Sequence, residues 1–172
     1  MLEFFLRKGE TSKTIDESPT DNKSTYFIGF TIFSVLILSV VLNFLNAGTF
    51  KNETLSIIGL GLMCTGLFVR IWSMQTLKKY YTRTLVTTEE QEIIKKGPYK
   101  IIRHPGYLGT MLVWCAAGLA MQNYIITGMA IVMMLIAYTY RIQNEERMLG
   151  NTFGEKFNDY KKSTWKIIPL VW

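Results

Sequence analysis

The sequence predicts an all-α integral membrane protein with four to five membrane helices, a tight C-terminal helical hairpin among them, and a loop and C-terminal helix outside the bilayer. Three observations predict it. Hydrophobic residues make up 49% of the 172, a share that a soluble domain also reaches, but here they come in blocks instead of alternating with polar residues. The blocks hold no proline, and their lengths lie at or near the ~20 residues that cross a bilayer core as a helix. Lys and Arg gather on alternate connections between the blocks, the asymmetry that orients helices in a membrane.

Along the chain, residues 8–25 are polar, mixed in charge and without period, so residues 1–25 read as a disordered leader. Leu2, Phe4, Phe5 and Leu6 either touch the membrane surface or belong to that tail. The first apolar block begins only at residue 26, which does not fit a cleaved signal peptide. Tyr26–Leu45 is twenty residues without a charge, and Leu55–Met74 is a second block interrupted only by Arg70. Together they predict an antiparallel hairpin over 26–74, closed by Asn46–Thr54. Gly59, Gly61 and Gly66 follow no strand, so they read as close helix packing and not as a phosphate loop. Gly118, with Ala116, Ala117 and Ala120, reads the same way. Arg70 lies about a turn from the end of its block, and either snorkels to the headgroups or points into the bundle to hold an anion.

Residues 75–172 form the second region. Tyr80–Lys96 alternates and is rich in Tyr, Thr and Val, the pattern of an extended segment or short hairpin. Gly97-Pro98 turns the chain, and Pro105, with its preset φ and no N–H, suits the first turn of a helix. Tyr107–Met121 and Tyr124–Tyr140 are separated by Gln122-Asn123 alone, which makes 107–140 a membrane hairpin whose arms are short for a full crossing. The fourth block should continue as helix out of the membrane to Leu149 and end at Gly150-Asn151. Thr152-Phe153-Gly154-Glu155 then fits a capping box opening a last amphipathic helix that carries Phe153, Phe157 and Tyr160. Ile167-Ile168-Pro169 and Trp172 close the chain near the interface.

Of the 19 Lys and Arg, four precede the first block, seven lie between the second and third, and six follow the fourth. The first connection holds only Lys51 and the last turn holds none. Both termini and the loop Gln75–Pro105 are therefore expected in the cytoplasm. The net charge of +6 follows from that orientation and from contact with anionic membrane lipids, so no nucleic acid partner is expected. Cys64 and Cys115 fall inside apolar blocks and read as free thiols, and a single histidine supplies no paired ligand motif, so no metal is expected.

Two polar clusters stand where the chain meets hydrocarbon. One runs Gly97-Pro98-Tyr99 to Arg103-His104-Pro105-Gly106-Tyr107-Leu108-Gly109, and the other is Arg141-Ile142-Gln143-Asn144-Glu145-Glu146. Ionisable groups there are expensive unless paired or used, so together they mark a site at the membrane interface. Taken singly they have plain readings. Arg141 and Glu145, one helical turn apart, make an ion pair of about 0.3 kcal/mol, and His104 caps a helix or contacts headgroups. No nucleophile elbow, phosphate loop or catalytic triad is present.

These stretches, with the tail Phe153-Gly154-Glu155-Lys156-Phe157-Asn158-Asp159-Tyr160 and Ile168-Pro169, closely resemble the isoprenylcysteine carboxyl methyltransferase family and its phospholipid methyltransferase relatives. The resemblance covers roughly the C-terminal 60% of the chain, residues 89–109 and 141–169 above all. It implies an enzyme that takes a methyl group from S-adenosylmethionine, bound without a Rossmann domain. It further implies that Gln91, Glu92, Ile93, Ile94, Tyr99, His104, Pro105, Gly106, Tyr107 and Glu145 contact the cofactor. Arg141 matches the position facing the acceptor, and Arg141 with Glu145 forms the catalytic pair. Which of Glu145 and Glu146 is the principal donor-site carboxylate stays open.

The implied chemistry is coherent. A carboxylate stabilises a sulfonium cation, an aromatic ring can face it, and a guanidinium orients a carboxylate acceptor by paired hydrogen bonds. The expected partner is a lipophilic or lipidated acceptor arriving from the bilayer, most simply an isoprenylcysteine carboxylate. A phospholipid amine or a lipidic enol, phenol or thiol is the alternative. From other classes, an NADPH-dependent sterol-reductase-like protein and a non-catalytic membrane scaffold also remain.

Overall fold

The computed structural model describes residues 19–78 and 92–169. They form helices α1 (Pro19–Phe44), α2 (Glu53–Leu77), a 3-10 turn (Gly97–Lys100), α3 (Pro105–Ala120), α4 (Tyr124–Phe153) and α5 (Glu155–Ser163). Among the described residues the only β pairing is two isolated bridges, Thr49 with Asn123 and Ile102 with Trp165. Lys23–Phe44 of α1, all of α2 and all of α4 are long and apolar enough to cross a membrane, while α3 is apolar but only 16 residues long. The protein is thus an all-helical integral membrane protein.

Phe30, Phe33, Val40, Ile57, Phe68 and Ile136 point out of the bundle. Hydrocarbon is as apolar as these side chains, so helix association rests instead on close packing and hydrogen bonds. The packing runs α2 on α3, α3 on α4, and α4 on α1. The two helices of the N-terminal hairpin therefore find their main partners elsewhere in the chain. A core of Val35, Ala130, Met134, Tyr138 and Ile142 joins α1 to α4, with Ile167 closing it.

The α2–α3 contact depends on small residues. A Cβ built on Gly66 would lie 2.7 Å from the Gly109 carbonyl oxygen, and one on Gly109 would lie 2.6 Å from that of Gly66. Gly59 meets the backbone of Ala120 and Gly118 that of Thr127, but Gly61 has open space beside it and takes no part in packing. Arg70 does not snorkel to the headgroups but points into the bundle, the second of the two expectations. Its guanidinium turns inward to the Thr110 hydroxyl and lies 3.4 Å from the Gly106 carbonyl oxygen.

At the end of the bundle away from the polar clusters, the two short connections are joined. Asn123 is buried and caps α4 by accepting from the N–H groups of Ile125 and Ile126, both at 3.1 Å, while its amide donates to Ala47 at 2.8 Å. Phe50 N–H donates to Gln122 and Tyr124 N–H to Gly48.

Three boundaries differ from expectation. Helix α1 starts at Pro19, so residues 19–25, assigned to the disordered leader, are helical; proline is well suited to a first helical position. Helix α4 passes through Gly150-Asn151 and stops at Phe153, where Gly154 takes φ +53°. Gly150 does not adopt positive φ, and the modest cost of a helical glycine is overridden by tertiary context. No capping box forms: the Thr152 hydroxyl donates back to Met148, and Gly154 stands at the junction with α5. The final amphipathic helix itself is present, with Phe157 and Tyr160 buried. Gln91 and most of the alternating segment lie outside the described residues, and residues 92–95 have no regular structure.

Candidate active site

The first polar cluster is held in place from the C-terminal side. After α5, the chain folds back along residues 101–104. Trp165 N–H donates to Ile101 (3.0 Å), Arg103 N–H to Trp165 (2.8 Å) and His104 N–H to Lys166 (3.1 Å). The Tyr160 hydroxyl, whose burial pushes its pKa well above the ordinary value, donates to the Tyr99 carbonyl at 2.7 Å. The Arg103 guanidinium donates to Glu146 (2.9 Å), to the Lys161 carbonyl (3.2 Å) at the end of α5, and to the Thr164 carbonyl. A cation at those last carbonyls also suits the negative end of the helix. Arg103 thus ties the entrance of α3 to the ends of α4 and α5.

On this frame, His104 begins α3 without capping it by its side chain. Its ring stacks on Tyr107, with centroids 5.5 Å apart and planes within 9°. Its Nε2 lies 3.3 Å from Glu146 Oε1 and its Nδ1 lies 3.7 Å from Glu145 Oε2, so one imidazole stands between two carboxylates. Past the apolar run that ends at Tyr140, α4 presents Arg141 and Glu145 to the same place. The Tyr107 hydroxyl donates to Glu145 Oε2 at 2.6 Å and accepts from Arg141 Nε at 3.2 Å. Tyr138, one turn before Arg141, packs on the Tyr107 ring at 5.0 Å.

The two glutamates differ in their commitments. Burial alone would raise the Glu146 carboxyl, but hydrogen bonds and charge from His104 and Arg103 outweigh it and lower the group to about 2. Glu146 is therefore an anion already spent on internal cations, Lys161 being a further one at 3.9 Å. Glu145 is held by the Tyr107 hydroxyl at 2.6 Å, with the His104 ring farther off at 3.7 Å.

Of the sequence-predicted site residues, the structure brings together His104, Tyr107, Arg141 and Glu145. Pro105 and Gly106 are buried in the first turn of α3 directly beneath them. Tyr99 is buried on the 3-10 turn beside Tyr160. Among the described residues, no hydrogen bond or ion pair ties Glu92, Ile93 or Ile94 to the cluster; Glu92 is exposed and the two isoleucines are half-buried. Sequence reasoning missed Ser24 and Thr25, whose hydroxyls accept from Arg141 Nη1 at 2.6 and 2.9 Å. No motif marks them, because they sit in a polar segment far away in sequence.

A family model for isoprenylcysteine carboxyl methyltransferases matches residues 58–151. The chain belongs to this family. It is 32% identical over 128 residues to the protein-S-isoprenylcysteine O-methyltransferase of Dictyostelium discoideum, covering 69% of this chain and 52% of that protein. With the enzyme of the same name from Schizosaccharomyces pombe it shares 24% over 114 residues, covering 65% and 48%. The chain thus spans about half the length of these relatives. The solved structure of a eukaryotic intramembrane Ras methyltransferase, an isoprenylcysteine carboxyl methyltransferase, has the same fold. Its TM-score is 0.69 at 21% identity, over 97% of this chain and 59% of that one. The family match begins inside α2, so α1 lies outside it.

Proposed function

We propose that this member of the isoprenylcysteine carboxyl methyltransferase family is an integral membrane enzyme that moves a methyl group from S-adenosylmethionine to a lipophilic acceptor carboxylate of the isoprenylcysteine type. The observation that carries the reading is the convergence of His104 and Tyr107 from α3 with Arg141 and Glu145 from α4, at one end of an apolar bundle. Residues 75–172 form the catalytic region on this reading.

The residues fit the cofactor on one further count. Between Arg141 and Glu145, the side-chain amide nitrogen of Asn144 is buried without a hydrogen-bond partner among the described residues. An orphaned buried donor is costly, and an oxygen or ring nitrogen of a bound ligand would satisfy it. S-adenosylmethionine, when bound, supplies a methyl group made electrophilic by a sulfonium charge. Glu145, with His104, Tyr107 and the segment 92–94 leading into Tyr99, would hold it. Glu145 places negative charge where that cation is stabilised. Arg141 binds and orients the acceptor carboxylate, which is ionised at neutral pH and needs no general base. Alignment of the reacting groups then supplies much of the rate. His104 and Tyr107 are engaged with the two glutamates, which suits an acceptor that arrives already deprotonated.

The test is a thermal shift of detergent-purified protein with S-adenosylmethionine, S-adenosylhomocysteine or NADPH, beside Glu145→Ala. At a hundredfold excess over Kd, a ligand that binds only the native state adds about 2.7 kcal/mol of stability. Stabilisation by both adenosyl compounds, lost in Glu145→Ala, is expected. A response to NADPH alone would replace this reading with a reductase, and no response to any of the three would favour a scaffold.

A further inference from the structure

We infer that Ser24 and Thr25 of α1 are positioning residues for the acceptor site, holding the Arg141 guanidinium in the orientation that receives a carboxylate. The inference rests on the methyltransferase reading and adds residues from outside the family-matched segment, which starts at residue 58.

The geometry is specific. Ser24 is fully buried and Arg141 is 3% exposed, so both have been taken from water and must find partners in the protein. Arg141 Nη1 donates to Ser24 Oγ at 2.6 Å and to Thr25 Oγ1 at 2.9 Å, while Nε donates to Tyr107 Oη at 3.2 Å. Contacts at two different nitrogens, made from α1 on one side and α3 on the other, fix the plane of the guanidinium as well as its position. That plane decides where Nη2 points, the guanidinium nitrogen that can reach a carboxylate without giving up those three bonds. Tyr107 carries the arrangement on to Glu145 at 2.6 Å, so one chain of contacts runs from α1 through the acceptor-side cation to the donor-side anion.

The chemistry of the two holders matters as much as their placement. Hydroxyls accept from the guanidinium without cancelling its charge. An acidic side chain in their place would position it equally well but would compete with the acceptor. Two other hydroxyls of α1 behave differently: Thr31 donates to the Phe27 carbonyl and Ser39 to the Val35 carbonyl, within their own helix. They are natural controls, alike in element and chemistry but remote from Arg141.

The experiment compares Ser24→Ala, Thr25→Val, Thr25→Ser, Thr25→Asp and the control Thr31→Val in detergent. Acceptor binding and steady-state methylation are measured with an N-acetylated S-isoprenylcysteine, and cofactor-site integrity is followed by S-adenosylhomocysteine binding. Losing a hydrogen bond to a charged group corresponds to about a tenfold effect. Ser24→Ala and Thr25→Val are therefore expected to raise acceptor KM, and to weaken acceptor binding measured directly, by about that factor. S-adenosylhomocysteine affinity should stay within about twofold. Thr25→Ser should restore wild-type behaviour, and Thr25→Asp should weaken acceptor binding more than Thr25→Val does. Unchanged KM in Ser24→Ala and Thr25→Val, or equal losses in Thr31→Val, would overturn the inference and leave the methyltransferase reading standing. Failure of the wild type to bind S-adenosylhomocysteine would instead remove that reading first.

Discussion

Glu145 and Glu146 are adjacent in sequence, yet their surroundings assign them different work. Glu146 is braced by Arg103 and His104, and its depressed pKa means that the folded state favours its ionised form. The stability it contributes is complete above the ordinary carboxylate pKa, near 4.5, and is lost as pH falls from there toward 2. Arg103→Ala removes the nearest cation from this carboxylate, leaving His104 and Lys161 beside it, and should cost about 2 kcal/mol at neutral pH. As pH falls and Glu146 takes up its proton, the deficit should shrink. Thermal denaturation of both proteins across pH 3–7 measures this, and a constant deficit would show that Arg103 acts through its backbone-carbonyl contacts instead. Neither role is written in the Glu-Glu dipeptide. That a charged pair at this place is used was legible from its cost at the edge of hydrocarbon; which glutamate is spent on structure depends on Arg103, brought there by the returning C-terminal tail.

At the level of elements, helix existence was legible and helix company was not. Four apolar blocks gave four apolar helices because a block without proline or charge has few other ways to satisfy its backbone in lipid. The final helix followed from the spacing of Phe157 and Tyr160, but Phe153, read as its first apolar residue, ends α4 instead. Partner choice was hidden because α1 and α2 are apolar on all faces, and no stripe says which side meets which helix. Glycine spacing carried part of that information: Gly66 does mark the approach to Gly109, but Gly61, indistinguishable in sequence, faces open space. The consequence is asymmetric. Gly66→Ala drives a methyl group into the Gly109 carbonyl and should destabilise by about 1–3 kcal/mol, whereas Gly61→Ala should be neutral. Melting temperatures of the two variants in detergent decide it, and equal values would mean that the α2–α3 contact yields readily.

For the whole molecule, polarity is divided end to end. The connection that joins α1 to α2 and the turn at Asn123 are stitched together at one end, and the cationic segments gather with the candidate site at the other. The positive residues place that second end in the cytoplasm on our reading. In a background with Cys64 and Cys115 replaced by Ala, Lys156→Cys should react with an impermeant maleimide from the cytoplasmic side only, and Lys51→Cys from the opposite side only. The reverse pattern would invert the orientation.

Helix α3 begins with Pro105 beside the cluster and ends with Ala120, whose carbonyl accepts from Ser56 in the first turn of α2. Its 16 residues measure about 24 Å, against about 38 Å for the 25 residues of α2 beside it. The shortfall is shared between the two ends: Ala120 lies against Gly59, inside the start of α2, and Gly106 lies against Ser73, one turn before the last residue of α2. The entrance of α3, with His104 and Tyr107, therefore stands about one helical turn inside the end of α2 and not flush with it. On the proposed reading, a tail-anchored acceptor reaches that cluster by lowering its polar head past the end of α2, while a water-soluble donor descends the same turn from the other direction.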